Sequence, residues 1–243
     1  MDAYAEMMPE VRDNWPGMGI GIVAVVDQVR RVTVPVVFGS MGVQVWKGLG
    51  FASDQEWWTW CREDRDIASG TSFAFADLHD LTYGADDMRG SAGGGLDLWR
   101  MATSNVSDFA NTLPGTFSVD SVIQPICLAV ELSLKAALVQ NGADPESFRK
   151  RGAEGHDLKR LADRLATELP HRDDSEIGRI VAALPPYVDS RYSPAGLKRL
   201  QVVRLALGAQ FIAASSVRRF SSRDLAEQME QGGWPAPRRQ LFS

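Results

Sequence analysis

Between Ile126 and Val139 almost every position is apolar, and the clear exceptions are Glu131, Ser133 and Lys135. Such a run predicts a helix buried on most sides, with its two charges largely removed from water. Glu131 and Lys135 stand four residues apart with the acid first, the better order for a pair across one turn. Pro125 suits a first helical turn, and Asn141-Gly142 supplies a stop. Downstream, Leu158, Leu161, Ala162, Leu165 and Leu169 recur at helical spacing, with His156 and Asp157 at the opening, where the helix dipole favours an acid. The pattern predicts helices over Leu96 to Thr112, Val122 to Gln140, His156 to Leu169, Glu176 to Leu184 and Pro194 to Phe220. The last is opened by Ser193-Pro194 and lined by Leu200, Val203, Leu207, Phe211 and Ala214. At 1.5 Å per residue it would run about 40 Å, and its surplus length is an expected dimer surface.

The first hundred residues follow other patterns. Ile20 to Val26 and Val32 to Phe38 are rich in Val and Ile and predict strands, the second made an edge or bulged strand by Pro35. Ser53-Asp-Gln-Glu56 is a capping box for a helix through Trp57, Trp58 and Trp60. Ser72-Phe-Ala-Phe-Ala-Asp77 alternates like a strand, a short helix suits Ala3 to Val11, and Ala92-Gly93-Gly94-Gly95 suits a flexible joint. Gly17-Met-Gly19-Ile-Gly21 lacks the spacing and the preceding strand of a dinucleotide fingerprint and is expected to be a turn or linker. The resulting fold class is mainly α. A smaller mixed α/β region over residues 1–95 precedes a helical bundle over 96–243, whose tail from Gly232 is expected to be loosely ordered.

Charge supports two units by composition. Residues 1–100 hold 8 basic and 15 acidic side chains, whereas 101–243 hold 18 and 16, and six of seven tryptophans precede Met101. A net charge of −5 argues against broad, non-specific nucleic-acid binding, which depends on phosphate neutralisation. A local basic patch is still open to Arg149-Lys150-Arg151, Lys159-Arg160, Lys198-Arg199 and Arg218-Arg219. Cys61 and Cys127 are too few for a disulfide framework, and His79, His156 and His171 show no metal-ligand spacing, so neither metal nor cofactor is expected. With no basic and apolar leader and no long apolar run, a soluble cytoplasmic protein without membrane attachment is expected.

The segments Glu131-Leu-Ser-Leu-Lys135-Ala, Gly155-His156-Asp157-Leu158 and Asp189-Ser-Arg191-Tyr192 together resemble the HEPN superfamily, over roughly Leu98 to Phe220. These are helical-bundle domains of prokaryotic toxin–antitoxin and defence systems and of a few eukaryotic proteins. The resemblance implies a four- or five-helix bundle, often a homodimer, that associates with RNA, a nucleotide or a partner protein. Many members are metal-independent ribonucleases that use an arginine and a histidine four to six residues later, with the sites of two protomers meeting at the interface.

On that basis His156 and Arg151 are the catalytic candidates, with Arg149 also within the required spacing. Ribonuclease members usually carry their pair later in the chain, where this one has Arg191-Tyr192 and no following histidine. Glu131, Lys135, Arg149, Arg191 and Tyr192 are candidate binding residues. Chemically, His156 could accept a proton from a ribose 2′-hydroxyl while an arginine stabilises charge on the phosphate. The alternatives are a non-catalytic binding or dimerisation module, in which His156 caps its helix and Glu131 and Lys135 form a structural pair, and a nucleotidyltransferase fused to the bundle. The last would need Gly39-Ser40 for a triphosphate and Asp54, Glu56 and Asp77 for Mg²⁺.

Overall fold

Alternate residues of the first strand serve two different cores. The computed structural model describes residues 18–36, 44–116, 119–148, 154–186, 196–233, 236 and 238. Strands β1 (Gly19–Val25) and β2 (Gln28–Val34) form an antiparallel hairpin, with Gly19 opposite Val34 and Val25 opposite Gln28. Side chains alternate across a strand, so Ile20 and Ile22 enter the main helical core while Val23 and Val25, with Val32 and Val34 of β2, enter a second cluster around Trp57 and Phe75. The hairpin turns at Val26, whose φ of 59° lies in a region that β-branched residues rarely enter. β2 stops just before Pro35, which cannot donate to the ladder.

Helices α1 (Val45–Gly48) and α2 (Asp54–Trp60) follow, then α3 (Arg65–Asp87), α4 (Leu96–Thr112) and α5 (Ile123–Gln140). Helices α6 (Leu158–Glu168), α7 (Asp174–Ala183), α8 (Arg199–Arg218) and α9 (Leu225–Gly232) complete the α-helices of the described residues. The mainly helical class with a small two-stranded sheet before a bundle is as expected. α3 is the chief departure. The segment expected to be a strand, Ser72 to Asp77, lies inside this 23-residue helix, which Asp64 opens by accepting from the Asp66 and Ile67 amides at 2.8 and 3.1 Å. Residues 71–76 are all buried, so no exposed face betrays the helical period.

α8 is the centre of the molecule. Packed against α3, α5, α4 and β1, it is buried along nearly its whole length. It has 20 residues rather than the 27 expected, so it spans about 30 Å. Its burial within one chain removes the exposed length expected to serve as a dimer surface. Trp99 of α4 is pinned to it by an indole N–H donating to Ser216 Oγ at 2.8 Å. α8, like α5, is long and apolar enough to cross a membrane by length and composition, yet both are mostly buried inside the bundle, as core helices of a soluble protein are.

The free edge of β1 is satisfied by a side chain. Gln210 of α8 accepts from the Ile22 amide at 3.0 Å and donates to the carbonyls of Ile22 and Ala74 at 3.2 and 2.7 Å, tying strand, α3 and α8 together. Gly21 permits this approach, because a Cβ there would lie 2.4 Å from Gln210 Oε1. Gly19 and Gly21 therefore belong to a close-packed strand and not to a linker. Gln210→Leu is expected to strand the amide and carbonyl of Ile22 on the free strand edge and cost about 2–3 kcal/mol, readable as a lower urea midpoint.

Across the compositional change at residue 95, Ile20, Ile22, Leu81 and Met88 pack in one hydrophobic cluster with Trp99 and the later helices. The glycines before α4 form a tight crossing in place of a flexible joint. A Cβ on Gly95 would lie 2.4 Å from the Ala136 carbonyl of α5, and the Gly95 amide donates to Gln140 Oε1 at 3.2 Å. The helix expected over Ala3 to Val11 lies outside the described residues, as does much of the segment after Gly232.

Candidate functional site

α5 carries the expected acid and base into the interior. Glu131 and Lys135 are both buried, and Lys135 Nζ donates to Glu131 Oε1 at 2.5 Å across one turn. The ammonium also lies 5.8 Å from the centre of the Phe148 ring. A lone buried charge would be costly, and each of these groups offsets the other's desolvation. One turn before Glu131, burial and the Glu131 charge push the Cys127 thiol up to about 12, which removes it as a nucleophile at neutral pH.

His156 meets this pair from outside. It ends a short 3₁₀ turn, Glu154–His156, that packs on a second turn, Pro145–Phe148. Gly155 makes the approach possible, since a Cβ there would fall 2.1 Å from the Phe148 carbonyl oxygen. His156 Nδ1 then lies 3.2 Å from Glu131 Oε2, with 69% of the imidazole's area exposed. The cap of α6 is Asp157, which accepts from the Arg160 amide at 3.1 Å, so the imidazole is not needed for capping. His156 lines an open cleft of about 350 Å³ with Lys159, Val181, Leu184, Pro185 and Pro186.

Thus three of the sequence-nominated residues, Glu131, Lys135 and His156, come together. The other four, Arg149, Arg151, Arg191 and Tyr192, lie outside the described residues. Among the described residues, five members of the wider basic patch make contacts within the chain. Lys159 pairs with Asp163 at 2.7 Å and Arg160 with Asp157 at 3.2 Å. Arg199 donates to the Thr116 and Leu113 carbonyls at 2.9 and 3.1 Å, and the side chains of Arg218 and Arg219 are buried.

The acids of the nucleotidyltransferase alternative are not arranged as a metal set. Glu56 is used at the helix start: Ser53 Oγ accepts from its amide at 3.1 Å, and its own carboxylate reaches back to accept from the Ala52 amide, one residue before the cap, at 2.7 Å. Asp54 shares that first turn, Asp77 belongs to the buried face of α3, and Ser40 lies outside the described residues. No group of three or more His, Cys, Asp or Glu among the described residues could hold a metal ion.

Sequence reasoning missed the densest electrostatic feature. At the end of α8, Arg218 has 1% of its side chain exposed and faces Asp77 and Asp80 of α3, Asp173 and Asp224, at 2.8, 2.7, 3.6 and 3.5 Å. The Leu225 amide at the start of α9 donates to Asp80 at 2.9 Å. Histidines flank two of the acids: His79 Nδ1 is 2.9 Å from Asp80, and His171 Nδ1 is 3.4 Å from Asp173. Burial alone would raise both carboxyls. The histidine contacts and the Arg218 charge outweigh it and hold Asp80 and Asp173 below the usual carboxylate range. The same acids overcome burial to hold Arg218 firmly protonated.

This hub sets an expected pH dependence. Carboxyls depressed in the folded state contribute stability that is present above their unfolded pKa of about 3.9 and disappears as pH falls through the folded values. The urea midpoint should therefore hold from neutral pH to about 4 and drop steeply below it. Asp173→Asn should flatten that acid limb while lowering the plateau.

Comparison of the chain with protein-family models, curated proteins and solved structures gave no match.

Proposed function

We propose that the chain is a HEPN-type helical module associated with RNA, and that His156 is the proton-transfer group of a metal-independent ribonuclease of the toxin and defence kind. The observation that carries this reading is the buried Glu131 carboxylate 3.2 Å from Nδ1 of a solvent-facing imidazole at the mouth of a cleft. A carboxylate at Nδ1 favours the tautomer with the proton there, which leaves Nε2 to accept a proton from a ribose 2′-hydroxyl. The 2′-oxygen would then form a bond to phosphorus as the bond to the 5′-oxygen breaks and that oxygen takes a proton from water, leaving a 2′,3′-cyclic phosphate and a 5′-hydroxyl. Glu131 and Lys135 work through the imidazole, because burial keeps both away from a bound strand. Arg151, chosen by its spacing to His156, is the proposed source of charge for the phosphate, and a homodimer would bring two such sites together.

A second reading is favoured by the pairing of Lys159 and Arg160 with Asp163 and Asp157 beside the cleft. With each of those cations held beside a carboxylate, the same cleft suits a non-catalytic module that binds a nucleotide or a partner protein. Incubation of the full chain with end-labelled single-stranded RNA in excess EDTA separates the two. The ribonuclease reading expects fragments ending in 2′,3′-cyclic phosphate; intact RNA, bound or unbound, would favour the second.

A further inference from the structure

Asp77 holds two arginines, and only one belongs to the helical core. Beyond its contact with Arg218, its carboxylate is gripped at both oxygens by Arg238, Nη1 to Oδ2 at 3.0 Å and Nη2 to Oδ1 at 2.7 Å. The same guanidinium carbon lies 4.6 Å from the ring centre of Phe73 and 5.0 Å from that of Phe211, inside the range of cation–π attraction. Glu230 adds a carboxylate 3.6 Å from Nε. Asp77 is 3% exposed, and 17% of the Arg238 side chain is exposed. This is a built recognition site: a buried carboxylate fixes the planar fork edge-on while two aromatic faces cover its π surface, a combination that a lysine ammonium cannot satisfy.

Charge and space add to the argument. The acids Asp77, Asp80, Asp173 and Asp224 outnumber the two core cations set against them, Arg218, which all four face, and Arg172, which pairs with Asp224 at 2.8 Å. A further cation is therefore attracted whatever chain carries it. A cavity of about 290 Å³ continues from the site, lined by Gly70, Asp77, Arg204, Leu207 and Arg238, with room for more than the guanidinium itself. The backbone near Arg238 is tied to α3 through Ser69 Oγ, which donates to the Ala236 carbonyl at 2.8 Å.

We propose that Asp77, Phe73 and Phe211 form an arginine socket, a binding site for a guanidinium group that the chain fills with its own Arg238 and that accepts an arginine side chain from elsewhere when Arg238 is withdrawn. An attached side chain acts at an effective concentration in the millimolar range or above, so a free guanidinium competes poorly until Arg238 is removed.

The test is thermal melting of the full chain, as wild type, Arg238→Ala and Arg238→Lys, with L-argininamide or L-lysinamide added at millimolar concentrations. Arg238→Ala should melt roughly 4 °C below wild type. Argininamide should restore most of that loss and lysinamide should not, while wild type responds to neither. Arg238→Lys should melt below wild type and recover with argininamide, which keeps the test open should the alanine variant fold poorly. An unchanged melting temperature in both variants would show that the socket holds nothing of consequence. Equal recovery with the two amides, or none with either, would show an ordinary surface ion pair and overturn the proposal.

Discussion

Arg218→Met is expected to lose about 3–5 kcal/mol of stability, the range found when one partner of a buried charge network is removed. Methionine matches much of the arginine stem, so little of the loss would come from a cavity. The cost comes from the acids left behind. Asp77, Asp80, Asp173 and Asp224 would face one another without their common counter-charge, and burial would drive at least one of them to take up a proton. The variant should then bind protons near neutral pH that the wild type does not, and its midpoint should rise as pH falls from 8 to 5, a range over which the wild-type midpoint holds steady. Equilibrium urea unfolding at several pH values reads both effects. A loss under 1 kcal/mol with no rise toward pH 5 would mean that the acids reach water by another route.

Glu131→Gln carries the second large effect, on stability and on chemistry together. The amide keeps the shape of the side chain but leaves the Lys135 ammonium buried without a carboxylate, at a cost again of about 3–5 kcal/mol. At the same time the tautomer bias on His156 is lost, and on the proposed reading cleavage falls by roughly 10²-fold or more. A double variant, Glu131→Gln with Lys135→Met, separates the two consequences. Removing both charges should return most of the stability, because a buried pair replaced by apolar or neutral groups of similar size is often close to neutral. Activity should stay low, since no carboxylate faces Nδ1. If activity returned along with stability, Glu131 would be a structural partner of Lys135 and nothing more.

How much of this was legible in the sequence depended on the physical range of each signal. α4 begins and ends where the apolar pattern placed it, because a glycine run precedes Leu96 and one face of the helix remains wet. α5 was equally plain, and the Glu131–Lys135 pair follows from one helical turn. α3 was not, because its central stretch from Thr71 to Leu78 is buried on every side and shows no period, and the alternation of Phe73 and Phe75 with alanines mimics a strand. α8 was found but placed wrongly in space: its apolar face continues round the helix, which marks a central element and not a dimer surface.

The site divides along the same line. His156 was nominated by its local Gly-His-Asp-Leu setting, while its contact with Glu131 spans 25 residues and needs the packing of two turns to form. The Arg218 hub depends on partners up to 141 residues away, and no spacing rule reaches that far. Its only trace in the sequence is charge in apolar surroundings, Asp77 and Asp80 one turn apart and Arg218 at the end of an apolar helix, which is the signal that could have found it.

The proposed role of His156 is the claim on which the functional account rests, and initial rates on single-stranded RNA in excess EDTA test it most directly, with His156→Ala beside the wild type. The substitution removes a largely exposed side chain and one hydrogen bond to Glu131, so stability should fall by no more than about 1.5–3 kcal/mol and the protein should stay folded under assay conditions. Cleavage to 2′,3′-cyclic ends should be present in the wild type and lower by about 10²- to 10⁴-fold in the variant, the usual contribution of a positioned general base. Equal rates in the two proteins would contradict the account.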